Sequence, residues 1–368
     1  MTYAASRTRL SSTPDYAAAN AASILNRSVT NQKTTQKHIN KIIEFRQAIY
    51  EHGLERRKDA LFETLDAICL NGRFAAFPLL SLNQVHRRKW HSLYKALEQG
   101  SLDEVWLSRF LAQQVPSQGV QYFSLDGTAW PRPRARTLDD RQYVYHPTAA
   151  VNGGSVCVGY PYSLLDWVPQ AHTSWSLSLS VARIPSHMTA WEMGVAQIQA
   201  LSRARQDDTQ VLDIVAADGK YGNAHFLRPL QDQDCGLIVR LRKDRVLYRA
   251  PQPPKKKKRG RPRIHGQRFA FKEPETWGAP DVQLRFEHPK LGQDQLQRWN
   301  QLHGKNDADV PFDVLRASIH LERDKAPRPI WLGWQAPAVV PAQIQLDTKT
   351  IWPVPYTHPT LPNTPYVY

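Results

Sequence analysis

The sequence predicts an α/β protein in which a helical N-terminal domain precedes a mixed β-sheet, and two observations lead to this fold class. Apolar residues such as Ile39, Ile42 and Ile43 first recur with the spacing of a helix. After the letters PSQG the period changes to two, which is the spacing of strands. We therefore expect a helical domain at residues 34–115 and a sheet domain at residues 116–352.

The helical domain is expected to be all-α and to serve as a DNA-binding or accessory domain. Helical periodicity runs through it, and the letters FAAFPLLS contain a proline, so they predict a connection between helices. Residues 1–33 are rich in Ala, Ser, Thr and Asn and have no usable period, which predicts a disordered leader.

The sheet domain begins with the strand VQYFSLD, in which Phe123 and Leu125 share one face. SWSLSLSVARI predicts a half-exposed strand, TAWEMGVAQIQALSRARQ a helix, and VLDIVAAD and CGLIVRLR two strands buried on both faces. This order favours one α/β sheet over a sandwich. A segment rich in proline and charge, at about residues 245–280, predicts an insertion, after which DVQLRFEH, DVLRASIHLER and RPIWLGW return to the sheet.

Composition favours a polyanionic partner, with nucleic acid first. The chain has 48 Lys and Arg against 33 Asp and Glu, a net charge of +15. Cys69, Cys157 and Cys235 form no CxxC pair, which fits a reducing compartment. We see no signal peptide and no apolar run of about 18 residues, so we expect a soluble cytoplasmic protein. Serine-hydrolase, HExxH metalloprotease and Walker motifs are absent from the sequence.

Two acids follow strands of the predicted sheet. Asp126 closes VQYFSLD and Asp218 closes VLDIVAAD, so a sheet would deliver both carboxylates to one edge. Carboxylates brought together repel unless they share a cation, and oxygen ligands suit Mg²⁺ or Mn²⁺. Two-metal phosphodiester chemistry needs such an arrangement. The alternative is that each aspartate only forms a turn, since Asp-Gly is a common turn pair.

Three sequence blocks resemble the DDE-type transposases of bacterial insertion sequences. They are SLDGTAWPRPRARTLDDRQYVYHP, VNGGSVCVGYPYSLLDWVP and VAADGKYGNAHFL, and the resemblance covers roughly residues 24–352. It implies a ribonuclease-H-like fold, with Asp126 matching the first catalytic acid and Asp218 the second. It also implies Mg²⁺-dependent cleavage and strand transfer at transposon ends. The implied partner is double-stranded DNA, both at the transposon ends and at the target, and no membrane. The implied location is the nucleoid in a bacterial cytoplasm. A homo-oligomer is a further possibility that the resemblance leaves open.

Other acids have simpler interpretations. Asp139 and Asp140 lie in an arginine-rich loop, where ion pairs with Arg136 or Arg141 are expected. Asp166 is interpreted as the cap of a turn.

The letters KKKKRGRPR place seven basic residues in nine positions, and their RGRP core resembles an AT-hook that enters an A·T-rich minor groove. The predicted DNA contacts are Lys255, Lys256, Lys257, Lys258, Arg259, Arg261 and Arg263. The alternative is a solvated run of charge or a nuclear localisation signal.

The resemblance also implies a third acid, a glutamate on a helix after the last strands, and the sequence shows no obvious candidate. Glu322 lies in a segment that reads as strand, and Asp347 is the only acid near the end. Residues 353–368 contain five prolines and no charged residue, so we expect an aberrant tail on a truncated, catalytically incomplete copy. A non-catalytic protein that occupies transposon ends, or a ribonuclease-H-like nuclease unrelated to transposition, are the alternatives.

Overall fold

The computed structural model describes residues 34–71, 76–145, 155–169, 175–207, 210–252, 262–288, 292–319, 328–342 and 344. Contacts between residues divide the chain into two compact units, Met1–Leu107 and Ser108–Tyr368. The predicted leader and the predicted tail lie outside the described residues.

The first unit is helical apart from a small antiparallel ribbon. Its elements are α1 (34–48), a π-helical turn (Ile49–Gly53), β1 (Leu54–Arg56), α2 (Lys58–Asn71), α3 (Phe77–Leu80), α4 (Trp90–Gln99), β2 (Ser101–Leu102) and the start of α5 (Glu104–Ala112). Strands β1 and β2 pair with each other, with Leu54 opposite Leu102. The letters FAAFPLLS, predicted to connect two helices, lie between α2 and α4, and their described part forms the short helix α3, in which Pro78 occupies the first turn, where a proline fits a helix.

The second unit contains a large sheet. Its elements are β3 (Gly119–Pro131), β4 (Gln142–Tyr145), β5 (Val156–Val168), β6 (Leu177–Arg183), α6 (Ala190–Ala204), β7 (Val211–Ala217), α7 (Ala224–Leu227), a 3₁₀ turn (Arg228–Leu230), β8 (Cys235–Leu241), β9 (Val246–Tyr248), β10 (Arg268–Ala270), a 3₁₀ turn (Pro274–Thr276), β11 (Val282–His288), β12 (Gly292–Gly304), β13 (Asp307–Ile319) and β14 (Arg328–Gln335).

The described strands of this unit form one sheet of 12 strands in the order β10-β9-β12-β13-β14-β8-β7-β3-β5-β4, with β11 beside β12 and β6 beside β5. Strand β7 is parallel to both of its neighbours, β3 and β8, and the other strand pairs are antiparallel. The central order β6-β5-β3-β7-β8, with a helix between β6 and β7, is consistent with a ribonuclease-H-like fold. The mixed α/β prediction is confirmed.

Both faces of the central strands are covered, as the apolar sequence of β7 predicts. All seven residues of β7 are buried. Phe123, Leu125 and Val215 pack on the α6 side with Ile198 and Leu201. Leu212, Ile214 and Ala216 pack on the other side with apolar residues of β8, β12, β13 and β14. Burial on two faces requires the apolar run that the sequence shows.

Helix α6 begins and ends with side-chain contacts that fix its place on the sheet. Thr189 and Glu192 form a reciprocal capping box at its N-terminus. At its C-terminus the buried Arg205 donates to the Asp213 carboxylate (2.7 and 3.2 Å). The same guanidinium donates to the carbonyl oxygens of Ala112, Val115 and Pro116. One side chain therefore ties the segment before β3, the helix and β7 together.

Part of the predicted insertion, at about residues 245–280, belongs to the sheet. Strands β9 and β10, which fall inside it, pair with each other and join the sheet through β12. Phe269 and Phe271 are buried, and Phe271 stacks on Trp331 with ring centroids 4.1 Å apart. They anchor the returning chain to the core. These aromatic residues bring back apolar area, which explains why strands form within the bounds predicted for the insertion.

Candidate active site

Asp126 and Asp218 lie at neighbouring positions of two paired strands. The parallel pairing of β3 and β7 ends with Leu125 opposite Ala217, and each aspartate is the next residue of its chain. Neighbouring strands are about 4.8 Å apart, and residues at matching positions share a face. The structure thus brings the two predicted acids together on one side of the sheet.

The expectation that Asp126 ends a strand was wrong, although Asp218 does follow the end of β7. Strand β3 continues to Pro131, so the Asp-Gly pair is no turn. The Asp126 Oδ1 accepts a hydrogen bond from the Gly127 amide (2.7 Å). Past Leu125 the strand keeps its partner β5, and this pairing continues as far as Pro131 opposite Gly159. Asp126 therefore stands where β3 loses one neighbour and retains the other.

Asp126 is held in a poor environment for a negative charge. Burial is the main reason that its pKa is raised to about 6, and the nearby carboxylates of Asp218 and Asp166 raise it further. The Gly127 amide and the Lys220 ammonium act in the opposite direction. A divalent cation would relieve the same repulsion far more strongly than one lysine does.

The loop after β7 positions Asp218 and Lys220. The Asp218 Oδ1 accepts from the Lys220 amide (2.9 Å), and the Lys220 ammonium lies beside Gly127. Tyr221 is fully buried against α6 and Phe226, so its side chain fixes the loop from the other face. A Cβ on Gly222 would collide with the carbonyl oxygen of Arg240, so only glycine fits there.

Asp166 is a third carboxylate on this face, and its interpretation as a turn cap was wrong. It lies inside β5, opposite Ser124 of β3. It is therefore diagonal to Asp126, on the flank away from Asp218. Burial raises the pKa of Asp166, while a hydrogen bond with Ser178 lowers it. Its Oδ1 atom is buried without a hydrogen-bond partner. The alternation of β5 would have placed it on this face if the pairing with β3 had been known.

The arginine-rich loop uses a different ion pair from the one expected. Asp140 accepts from Arg183 of β6 (3.1 Å) and from the Ser186 amide. Arg141 donates instead to the carbonyl oxygens of Arg132 and Arg136. Asp139 and Asp140 therefore keep a structural interpretation, with Arg183 as the partner of Asp140.

The donor atoms at this site fit a hard divalent cation. Asp126 and Asp218 supply carboxylate oxygens at adjacent positions, and the unpartnered Oδ1 of Asp166 is a buried acceptor that lacks a donor. Within the described ranges, however, no group of three or more His, Cys, Asp or Glu side chains is close enough to bind a metal ion. Mg²⁺ commonly keeps several waters and takes one or two protein carboxylates, so a two-aspartate site remains suitable.

Most of the predicted basic DNA contacts lie outside the described residues, namely Lys255, Lys256, Lys257, Lys258, Arg259 and Arg261. Arg263 is described and exposed. Nearby, His265 Nδ1 lies 3.1 Å from His303 Nε2 of β12, which holds the returning end of the segment against the sheet. Glu322 and Asp347 are outside the described residues. The helices that the structure describes include none long and apolar enough to cross a membrane.

Two solved structures resemble the chain weakly. A piggyBac transposase synaptic complex with hairpin DNA has 11% identity and a TM-score of 0.33, covering 80% of this chain and 55% of that one. A pre-cleavage Mos1 transpososome has 12% identity and a TM-score of 0.17, covering 50% of this chain and 59% of that one. The chain thus spans less than two thirds of either structure's chain.

No curated protein matches the chain. A sequence model described as DDE superfamily endonuclease matches residues 50–305, which include β3, β7 and both aspartates. The match covers well over half of the sequence. The chain therefore belongs to the DDE superfamily of endonucleases.

Proposed function

We propose that the chain is a DNA transposase that cleaves the ends of an insertion sequence and transfers the cut strand to target DNA. The observation that carries this proposal is the pair of acids, Asp126 and Asp218, at matching positions of adjacent parallel strands in a chain of this superfamily. Two adjacent carboxylates on one face of the sheet can serve phosphodiester chemistry, whereas they contribute little to folding.

Asp126 and Asp218 would hold the divalent ion, and Mg²⁺ or Mn²⁺ suits their oxygen donors. When bound, the ion supplies Lewis-acid stabilisation of the attacking and leaving oxygens. Asp166 is the first candidate for a further ligand, because its Oδ1 has no partner. The exposed Lys220 ammonium beside Gly127 is placed to neutralise a phosphate as it approaches the two acids.

Double-stranded DNA is the proposed partner. The net charge of +15 favours it, and the seven residues predicted from KKKKRGRPR, including the exposed Arg263, would contact its backbone and minor groove. We also propose that the protein acts at the nucleoid of a bacterial cytoplasm. A homo-oligomer that holds two transposon ends is part of the proposal, and sedimentation of the DNA complex would measure it.

A nicking assay tests the proposed activity. The substrate is supercoiled DNA that carries the sequences flanking this gene, incubated with the full chain in Mg²⁺ or Mn²⁺. Because the sequence shows no obvious third acid, we expect the metal-dependent cutting by this chain to be weak. We expect Asp126→Asn and Asp218→Asn each to reduce its rate by about a hundredfold or more, since even outer partners of metal ligands cost 10- to 100-fold in metal affinity. Asp232→Asn is the matched control, because Asp232 is exposed.

Joining of the cut end to a second DNA molecule separates a transposase from a simple nuclease. Cutting that survives Asp218→Asn would remove that residue from the site.

A non-catalytic protein that occupies transposon ends is the second candidate. It is favoured by the lack of a three-residue ligand group among the described residues. Specific binding of the flanking DNA, without cutting in either metal, would support it over the transposase.

A further inference from the structure

One face of the sheet continues past the acids into a hairpin rich in aromatic residues. Beyond Asp126, Thr128 pairs with Tyr162 and Trp130 pairs with Tyr160. Alternate residues of a strand share a face, and so do directly opposed residues of paired strands. Trp130, Tyr160 and Tyr162 therefore stand on the same side of the sheet as Asp126.

Strand β4 extends this face. Tyr143 pairs with Val158 and Tyr145 with Val156 of β5, in the same alternation as Tyr160. The exposed fractions are 48% for Trp130, 84% for Tyr143 and 66% for Tyr145. Large aromatic side chains that converge on one exposed face are unusual unless something binds there. We call Trp130, Tyr143, Tyr145 and Tyr162 the aromatic platform.

Arginines surround the aromatic platform. The Arg132 guanidinium lies 3.5 Å from the centroid of the Trp130 ring, and that of Arg183 lies 4.9 Å from the centroid of Tyr160. Arg134 and Arg136 are exposed in the loop that follows β3. Asp140, the one acid of this loop with a described ion pair, is paired with Arg183. The remaining charge of this loop is positive, which favours a polyanion as the ligand of this surface.

The loop that carries these arginines is held in place at three points. The Tyr160 hydroxyl donates to the carbonyl oxygen of Asp139 (2.7 Å), and the Ser186 amide donates to the Asp140 carboxylate. Arg141 spans the loop by donating to the carbonyl oxygens of Arg132 and Arg136. A surface fixed in this way loses little conformational freedom when a ligand binds.

We propose that the aromatic platform binds an unpaired stretch of DNA next to the phosphate that is cut, with a base stacked on Trp130 and phosphates against Arg132 and its neighbours. Aromatic faces stack with bases only where those bases are unpaired, whereas arginines alone bind duplex equally well. Trp130 is four residues from Asp126, which is about 14 Å along a strand and about the rise of four stacked nucleotides. The inference rests on the proposed DNA substrate and specifies its form.

Binding of matched DNAs tests the proposal without any cutting. A blunt duplex of about 30 base pairs is compared, in EDTA, with the same duplex carrying a four-nucleotide overhang at its 5′ or 3′ end. The overhang contains 2-aminopurine, whose fluorescence falls when the base stacks. The full chain should bind one overhang DNA more tightly than the blunt duplex and quench its fluorescence.

Trp130→Ala should reduce the preference for overhang over blunt DNA by about tenfold and should abolish the quenching, because the stacking of one base is lost. The affinity for the blunt duplex should stay unchanged. Trp130→Phe keeps an aromatic face and should retain most of both signals. Trp175→Ala is the control, since Trp175 is 79% exposed and lies before β6. Equal thermal melting of the variants would show that they fold.

An overhang preference that persists in Trp130→Ala, or an equal loss for overhang and blunt DNA, would overturn the proposal. So would a chain that prefers blunt duplex. None of these results depends on the nicking assay. A chain that does not cut but binds overhangs through Trp130 would fail the transposase proposal and keep this one.

Discussion

At the residue scale, Asp126 combines a structural cost with a proposed role. It is mostly buried beside two other acids, and its pKa is raised to about 6. A folded-state pKa above the unfolded value of about 3.8 means that the folded chain favours the protonated carboxyl. The protonated Asp126 carboxyl therefore adds to the free energy of unfolding. This contribution is fully present below the unfolded pKa and is lost as the pH rises through about 6. At pH 8 without metal, the ionised Asp126 therefore destabilises the fold.

We expect Asp126→Asn to raise the thermal stability of the metal-free chain at pH 8, by no more than about 3 kcal/mol in the free energy of unfolding. At pH 4, where the native carboxyl is largely protonated, the two chains should melt alike. Melting curves in EDTA at pH 4, 6 and 8 would measure this. Asp232→Asn, at an exposed position, should show no such dependence on pH. An equal effect of Asp126→Asn at every pH would show that Asp126 is not buried as described.

At the element scale, the loop between β7 and α7 depends on close contact with β8. Gly222 lies against the carbonyl oxygen of Arg240, and the Arg245 guanidinium donates to the carbonyl oxygen of Gly222. Gly219, in the same loop, has only one atom near its Cβ position, the Arg240 oxygen at 3.9 Å. The two glycines therefore provide a matched pair for asking what the loop contributes.

Gly222→Ala should lower the free energy of unfolding by about 1–3 kcal/mol, because the added methyl group forces the backbone to move. It should also weaken Mn²⁺ binding, since the same movement displaces Asp218. Gly219→Ala should change both quantities little. Chemical denaturation and titration with Mn²⁺ followed by electron paramagnetic resonance would measure them. Equal effects of the two substitutions would contradict the close packing of this loop on β8.

At the scale of the whole molecule, the net charge of +15 favours the proposed binding of DNA. Cations that neutralise phosphates release counterions, so the affinity should fall steeply as salt rises. The predicted contacts from Lys255 to Arg263 would contribute much of this dependence, with the arginines preferring A·T-rich duplex.

Replacing Arg259, Arg261 and Arg263 with Ala should weaken binding and reduce the slope of log affinity against log salt by about two to three. Fluorescence anisotropy with A·T-rich and G·C-rich duplexes, over a range of salt, would measure it. The control chain carries Ala at three other exposed cations, Arg203, Arg242 and Lys243. It should lose less affinity for DNA and should keep its preference for A·T-rich duplex. An unchanged slope in the first variant would mean that the segment is only a solvated surface.

The sequence by itself determined the features that depend on local pattern. The apolar run of β7 requires burial on two faces, and the helical period after Thr189 requires α6. Asp126 and Asp218 were identifiable because each directly follows a segment with a strand pattern. The sequence blocks around them resemble those of DDE transposases and so indicate the superfamily.

Only the tertiary structure decided what depends on strand pairing. Strand β3 runs past Asp126 because β5, which is distant in sequence, continues to pair with it as far as Pro131 opposite Gly159, and no local signal contains that partner. The pairing of β3 with β5 places Asp166 beside Asp126 and not in a turn. Together with the pairing of β4 with β5, it puts Trp130 and Tyr143 on one face of the sheet. Side-chain alternation is written in the sequence, but the register that turns it into a surface is set by contacts between distant segments.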